Sequence, residues 1–266
     1  MNYKTILMAS AAMLFASQAV AEDLTGAFSV PGEGQFLSDT SISMSRVKSG
    51  WRGDRDFAGD ALTARETIEY GITDKFSVNA SIINNFDKEG IYNNDHNFEY
   101  QVGAKYNTRC DNNLFQVAAT YKTADPKDYY GKHTPERWAK AVDLDLKAGI
   151  DMGSGLTPYI VYSVESEIDT SSRSLSQSVS AGIHKYTGEW ALDGAVRYSW
   201  DKNNKDPKNG TEIWFDAEAD YYVKDNAAIG IYGSYLIDAH DMKDEDGDVF
   251  RVKKGHEIGV RFKVSF

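Results

Sequence analysis

Four acidic side chains within one short segment have the clearest potential for chemistry in this chain. They are separated by even numbers of residues, with apolar residues at the odd positions between them: Glu212, Asp216, Glu218 and Asp220. Because alternate residues of a β-strand project from the same face, this spacing predicts a column of carboxylates on one side of a strand. A column of this kind would attract cations wherever water reached it.

Other charged residues occupy the polar faces of segments that alternate in the same way. Acidic groups concentrate between residues 138 and 223, and basic groups flank the C-terminal segment. If these segments close into a barrel, the charged side chains line its lumen. The predicted lumen-lining charges are Arg65, Glu69, Asp143, Asp145, Glu165, Asp193, Arg197, Glu212, Asp216, Glu218, Asp220, Glu257, Arg261 and Lys263.

Two interpretations of these inward charges are open. One is a water-filled channel whose opposed charge patches orient a polar solute and favour cations. The other is an internal ion-pair network that fills a narrow barrel and blocks it. The acids within residues 211–223 favour the channel, because they are too numerous for complete pairing and lone charges are costly in a dry lumen.

An enzymatic site has little support in the sequence. Hydrolases that use a serine nucleophile need a Ser–His pair. Of the five histidines, only His184 has strand serines nearby on its face, Ser178 and Ser180, and no nucleophile elbow accompanies them. We therefore predict no catalytic residues and no enzymatic activity.

A metal site and a disulfide are also not predicted. Residues 244–248 (Asp-Glu-Asp-Gly-Asp) could offer oxygen ligands to Ca²⁺, but the Gly comes fourth and no terminal Glu follows, unlike in an EF-hand. A solvated acidic loop explains this run better. Cys110 is the only cysteine, so it cannot form an internal disulfide. We expect no metal and no cofactor.

Twelve segments of alternating polarity are the elements that position these side chains. Turn residues bound the segments, and apolar residues recur at every second position within them. We predict strands over residues 35–47, 61–70, 76–86, 97–107, 114–122, 138–150, 157–167, 175–186, 189–200, 211–223, 227–237 and 255–266. The stretch up to Gly34 is expected to be a periplasmic lead-in to the first strand.

Short and long connections alternate between these segments. The short ones include residues 71–75, 151–156, 186–188 and 224–226, and the long polar ones are 48–60, 87–96, 123–137, 201–210 and 238–254. Short periplasmic turns that alternate with long extracellular loops are typical of transmembrane β-barrels. Aromatic residues near strand ends, such as Trp190 and Tyr198, fit the interfacial girdles of these barrels. The predicted fold class is all-β, a single closed antiparallel transmembrane barrel of about 12 strands.

The N-terminal residues predict secretion. Lys4 precedes an apolar run from Ile6 to Phe15, and residues 19–21 (Ala-Val-Ala) form a small-x-small cleavage site. The run is shorter than the roughly 20 apolar residues that a spanning helix needs. We predict a signal peptide over residues 1–21 and one barrel domain over residues 22–266.

Composition excludes two other classes of protein. No long apolar stretch follows Ala21, and the mean hydropathy is −0.50, which excludes a helical inner-membrane protein. The formal net charge of −11 argues against nucleic acid as a partner. An acidic exterior is compatible with divalent cations that bridge to lipopolysaccharide, and equally with simple solubility.

The C-terminal segment alternates up to the last residue of the chain. Phe262, Val264 and Phe266 share one face, and Arg261 and Lys263 share the other. A last strand that closes on a terminal Phe resembles the assembly signal of Gram-negative outer-membrane β-barrel proteins. This resemblance implies a porin-like protein of the bacterial outer membrane. It also implies outer-membrane lipid, lipopolysaccharide and the barrel assembly machinery as partners.

Two further stretches resemble a narrower group. They are residues 31–35 (Pro-Gly-Glu-Gly-Gln) and residues 62–76, whose strand-turn-strand includes Tyr70, Gly71, Thr73 and Asp74. Both are similar to stretches of the outer-membrane transporters associated with aromatic-compound degradation of the phenol meta-pathway type. This resemblance implies the same barrel fold.

These observations together predict an outer-membrane channel for passive diffusion of small polar or ionic solutes. The alternative is a non-conducting barrel that serves adhesion or envelope structure. Barrels of eight strands are filled by side chains, while sixteen or more strands leave an open channel, so twelve strands are intermediate in width.

Overall fold

The computed structural model describes residues 27–51, 57–87, 97–124, 139–168, 174–203, 210–240, 242–243 and 249–266. The predicted signal peptide and the acidic loop, residues 244–248, lie outside the described residues. Twelve long strands are present in these ranges: β1 (Phe36–Trp51), β2 (Phe57–Thr73), β3 (Phe76–Asp87), β4 (Asn97–Cys110), β5 (Asn113–Ala124), β6 (Ala139–Ile150), β7 (Leu156–Glu167), β8 (Ser174–Tyr186), β9 (Trp190–Asn203), β10 (Thr211–Lys224), β11 (Ala227–His240) and β12 (Val249–Ser265). A two-residue strand, Met242–Lys243, also pairs with β12.

The strands close into a barrel. Each strand pairs antiparallel with the next one along the chain, and β12 pairs with both β11 and β1. The seam between β1 and β12 runs from Leu37, opposite Ser265, to Trp51, opposite Phe250. Closure gives every long strand a neighbour on both sides and so removes the sheet edges. The predicted all-β fold, a closed antiparallel barrel of 12 strands, is confirmed.

Several strands are longer than the sequence predicted. The strands β1, β2 and β12 extend toward the long connections, beyond the predicted segments 35–47, 61–70 and 255–266. Alternating polarity is needed only where one face contacts lipid, since beyond the membrane both faces can be polar. The backbone hydrogen bonding therefore continues past the point where the sequence pattern stops.

The barrel wall presents its apolar residues outward. Large side chains along the strands stay exposed, for example Val102 on β4 at 56% and Ile231 on β11 at 60%. The polar and charged residues between them project from the opposite face. This arrangement inverts that of a soluble protein and suits a wall between lipid and water. Within the described ranges, no helix is both long and apolar enough to cross a membrane.

Glu66 on β2 interrupts the apolar outer face, and two hydroxyls accommodate it. Its carboxylate accepts hydrogen bonds from Ser38, at 2.7 Å, and from Thr40. Both donors lie on the outward side of β1, where Thr40 is the direct cross-strand partner of Glu66. A carboxylate without partners would be costly on this face, so the two donors reduce that cost.

The two ends of the barrel differ. Five connections at one end contain between two and five residues, for example residues 74–75 between β2 and β3. This short-turn end is the periplasmic end in outer-membrane barrels. An aromatic cluster lies there, with Phe36 at 4.7 Å from Tyr70 and 5.5 Å from Phe266 between ring centres. Such rings at strand ends are typical of the membrane interface.

Candidate functional site

The acids of β10 lie on its inner face, and neighbouring strands supply their partners. Asp216 accepts two hydrogen bonds from the guanidinium of Arg197, at 3.0 and 3.1 Å, and one from Ser234 at 2.6 Å. Glu212 accepts the indole N–H of Trp214 at 2.7 Å. The guanidinium of Arg197 also lies 5.8 Å from the ring centre of Trp214. The strands β9, β10 and β11 together position this group.

The other two acids of β10 belong to an ionic group near the barrel closure. We call this group the seam cluster; its members are Glu218, Asp220, Arg261 and Lys263. Asp220 is 1% exposed and accepts hydrogen bonds from Arg261, at 2.7 and 2.9 Å, and from Lys263 at 2.9 Å. Glu218 is a second ion-pair partner of Arg261. A Cβ on Gly230, directly opposite Asp220, would stand 1.8 Å from its carboxylate, so the cluster needs glycine there.

These contacts correct one step of the sequence interpretation. The acids of β10 are numerous, but none of the four is unpaired, because bases on β9 and β12 and an indole N–H reach them. Asp220 and Arg261 are 41 residues apart in the sequence. They lie close together because the strand registers pair both residues with Gly230 of β11. The number of acids on β10 therefore does not indicate whether the lumen is filled with water.

Two further ionic groups lie elsewhere on the inner face. The ammonium of Lys122 on β5 contacts Asp143 on β6 and lies 2.6 Å from Glu165 on β7. Lys105 on β4 lies 2.6 Å from Glu69 on β2. Lys122 was not among the predicted lumen charges, although it follows an outward tyrosine in the alternating pattern of β5, and this signal could have identified it.

His184, the histidine with strand serines nearby on its face, has a carboxylate neighbour. His184 Nδ1 lies 3.4 Å from Asp193, which also accepts the hydroxyl of Tyr159 at 2.5 Å. Ser178 and Ser180 lie on the same strand, but the contacts found for His184 in the described ranges do not include them. Absence of enzymatic activity therefore stays a prediction.

Besides Glu212, which has only an indole donor, three predicted lumen charges form no ion pair in the described part of the chain. Arg65 on β2 lies opposite Ser41, and its side chain is exposed. Asp145 and Glu257 lie on β6 and β12 at inward positions of the alternating pattern. Within the described ranges, no group of three or more His, Cys, Asp or Glu residues is arranged to hold a metal ion.

Access to solvent changes along the lumen. Away from the short-turn end, the paired side chains of Arg197, Asp216 and Glu165 are 37%, 32% and 41% exposed although they face inward. Nearer the short turns, Asp220 is almost fully buried and the side chain of Arg261 is only 12% exposed. The inner face thus has a wetted region and a sealed region.

The predicted assembly residues complete the seam. Phe266 exchanges two backbone hydrogen bonds with Phe36, at 2.7 and 2.9 Å, and the two rings stack. Val264 is buried opposite Ser38, and Phe262 lies opposite Thr40. The role of these residues in assembly stays a prediction.

Comparisons with known proteins agree with this architecture. No protein-family model and no curated protein matches the sequence. The fold is similar to the COG4313 outer membrane channel from Pseudomonas putida F1, with a TM-score of 0.64, 10% identity and coverage of 91% of this chain and 98% of that chain. The translocator domain of the autotransporter NalP from Neisseria meningitidis has a TM-score of 0.51, 10% identity and coverage of 99% and 94%.

At these identities the likeness shows the fold alone. A closed antiparallel barrel with an exposed apolar wall is the architecture of outer-membrane proteins. The chain is therefore an outer-membrane β-barrel, and its location is the bacterial outer membrane.

Proposed function

We propose that the protein is a passive channel for small polar or ionic solutes. The observation that carries the proposal is the partial exposure of inward charges such as Arg197, Asp216 and Glu165. Charged pairs inside a filled barrel would be nearly as buried as Asp220 is. Twelve strands also enclose more space than the eight-stranded barrels that side chains fill. The similar fold of a protein described as an outer membrane channel adds support.

The charge of the inner face favours cations. Acids outnumber bases among the predicted lumen charges, and Asp145 and Glu257 add carboxylates outside the ionic groups. A negative lumen raises the local concentration of cations, and salt weakens this effect because the Debye length is about 10 Å at 0.1 M. We expect modest cation selectivity that is strongest at low salt.

Conductance of the refolded protein in a planar lipid bilayer tests this function. We expect discrete conductance steps, and a reversal potential with the sign of cation selectivity under a salt gradient. Folding is checked separately by the heat-modifiable migration of the barrel in electrophoresis. A folded barrel that inserts and conducts nothing would reject the channel.

The alternative function, a non-conducting barrel for adhesion or envelope structure, is favoured by a different observation. Asp220, Arg261 and Lys263 of the seam cluster are nearly buried, and residues 27–35 also occupy the short-turn end of the lumen. The same bilayer experiment separates the two functions, because only the alternative is compatible with a folded barrel that never conducts.

We also propose partners for the outer surface and for assembly. The exposed apolar wall suits contact with outer-membrane lipid. The formal net charge of −11 is compatible with lipopolysaccharide bound through bridging divalent cations. The terminal Phe266 suits recognition by the barrel assembly machinery. The predicted signal peptide would bring the chain to that machinery.

A further inference from the structure

Residues 27–35 turn into the barrel end, although the stretch up to Gly34 was predicted to be only a lead-in to the first strand. We call these residues the strap. At one side the strap is held by β2. The N–H of Gly34 donates to the Gly71 carbonyl at 2.9 Å, and the N–H of Gly71 donates to the Gln35 carbonyl at 3.0 Å. A Cβ on Gly71 would stand 2.1 Å from the carbonyl oxygen of Gly32. The strap therefore lies directly on the inner face of the wall.

The other side of the strap is held by β4 and β6. Lys147 Nζ donates to the carbonyl of Ala27 at 2.5 Å, and the side-chain amide of Asn107 donates to the carbonyl of Phe28. The Phe28 ring lies against Gly149, where a Cβ would stand 2.7 Å from the ring atoms. Glycine at this position therefore provides the space in which the ring is seated.

These attachments place the strap within the passage. The strands β2 and β6 are four steps apart in the order of the twelve barrel strands. A segment that joins their inner faces occupies cross-section that a solute would otherwise use. Val30 and Pro31, in the middle of the strap, are buried between the two attachments.

The contacts of the strap are separable from those that build the barrel. The wall begins at Phe36, so the strand pairing of the barrel does not include the strap. Gly34 has a φ of +80°, a conformation that glycine adopts without strain and that suits a hinge. The Lys147 ammonium lies 4.9 Å from the ring centre of Phe28 and 4.3 Å from that of Tyr159. Contacts of this type are individually modest, which suits a segment that docks and releases while the barrel stays folded.

We propose that the strap is a removable constriction of the channel. The strap packs against Gly71 and Gly149, accepts a hydrogen bond from Lys147, and narrows the periplasmic end of the lumen. Its release widens the passage without unfolding the wall. This inference rests on the proposed channel function and adds its regulation.

Three variants of the full chain release the strap in different ways. Gly149→Ala fills the space that the Phe28 ring occupies, and Phe28→Ala removes that ring. Lys147→Met removes the ammonium group that bonds the strap but keeps most of the aliphatic side chain. The matched control is Gly194→Ala on β9, where an added Cβ meets no atom within 4 Å. In planar bilayers we expect a severalfold larger mean conductance for the three release variants and no change for the control.

Thiol labelling reports the position of the strap independently of conduction. Val30→Cys in a Cys110→Ser background places the only thiol within the strap. A polar maleimide should label it slowly when the strap is docked, and severalfold faster when Gly149→Ala or Lys147→Met is added. Gly194→Ala should leave the rate unchanged. Fast labelling without any release variant would overturn the docked strap.

The two measurements separate the possible failures. Faster labelling with conductance no larger than that of the Gly194→Ala control would overturn the constriction and leave the channel intact. Faster labelling with no conductance in any variant would overturn the proposed channel, and the constriction would fail with it. Faster labelling together with larger conductance supports both.

Discussion

At the scale of single residues, Asp220 shows how the lumen tolerates a buried charge. Its carboxylate is almost fully removed from water, yet Arg261 and Lys263 donate three hydrogen bonds to it. Burial of an isolated carboxylate costs several kcal/mol, which only a close, well-bonded partner offsets. The missing side chain at Gly230 provides the room that these contacts require.

Removal of the Asp220 carboxylate should therefore destabilise the barrel. We expect Asp220→Ala to lower the free energy of unfolding by about 3–5 kcal/mol, because it leaves two buried cations with too few acceptors. Urea titration of the protein in lipid vesicles, followed by tryptophan fluorescence, measures this change. Glu189→Ala in the exposed turn between β8 and β9 is the control, with an expected effect within about 0.5 kcal/mol. Equal effects of the two substitutions would contradict the central place of Asp220 in the seam cluster.

For Glu66, the sequence predicts which face of the strand the side chain lies on but not which groups bind its carboxylate. The alternating pattern of β2 places Glu66 on the outer, apolar side, but it does not explain a carboxylate there. Its donors, Ser38 and Thr40, are 28 and 26 residues away along the chain. Only the register between β1 and β2 identifies them, and register depends on the closed barrel.

At the scale of elements, the two faces of a strand carry opposite chemistry, and β4 provides a direct test. Val102 is exposed on the outer face, whereas the amide of Gln101 donates to Glu99 on the inner face at 2.5 Å. We expect Val102→Arg to destabilise the barrel by about 2–4 kcal/mol if the position is near the bilayer midplane. Gln101→Arg should cost far less, because an arginine there meets water and Glu99. A refolding titration in lipid compares them, and equal costs would mean that the faces of β4 are assigned wrongly.

The last strand makes a second prediction at this scale. Deletion of Phe266 removes both its ring and the backbone bonds that it exchanges with Phe36. We expect a smaller folded, heat-modifiable fraction in the outer membrane, because the closure loses hydrogen bonds and an aromatic pair. Phe266→Ala keeps the backbone bonds and should have a smaller effect. An unchanged folded fraction after the deletion would remove the basis for an assembly signal at this residue.

The limits of prediction at the element scale have a physical origin. Alternation located the strands and their faces because lipid on one side and polar groups on the other constrain every second residue. It did not locate strand ends beyond the membrane, where that constraint is absent. It also did not locate the strap, which does not alternate and is held by residues such as Lys147, 120 positions away from Ala27.

At the scale of the whole molecule, closure turns separate columns of charge into one lumen with two regions. The seam cluster and the strap lie toward the short turns, whereas the Arg197–Asp216 pair lies where water still reaches it. Ion pairing in the wetted region does not cancel the net charge of the inner face, since acids remain in excess. The ion selectivity of the channel should therefore depend on the acids within ion pairs as well as on the acids outside them.

Neutralising two acids of β10 tests this dependence. Asp216→Asn together with Glu218→Gln keeps the shapes of both side chains but leaves the charges of Arg197 and Arg261 with less compensation. We expect the reversal potential at low salt to shift from cation selectivity toward zero or toward anions, with a smaller shift at high salt because of screening. Glu189→Gln, in an exposed turn, is the control and should leave the reversal potential unchanged. If the double variant conducts with unaltered selectivity, these two acids do not set the field of the lumen. Asp145 and Glu257, which form no ion pair within the described residues, then become the next positions to neutralise.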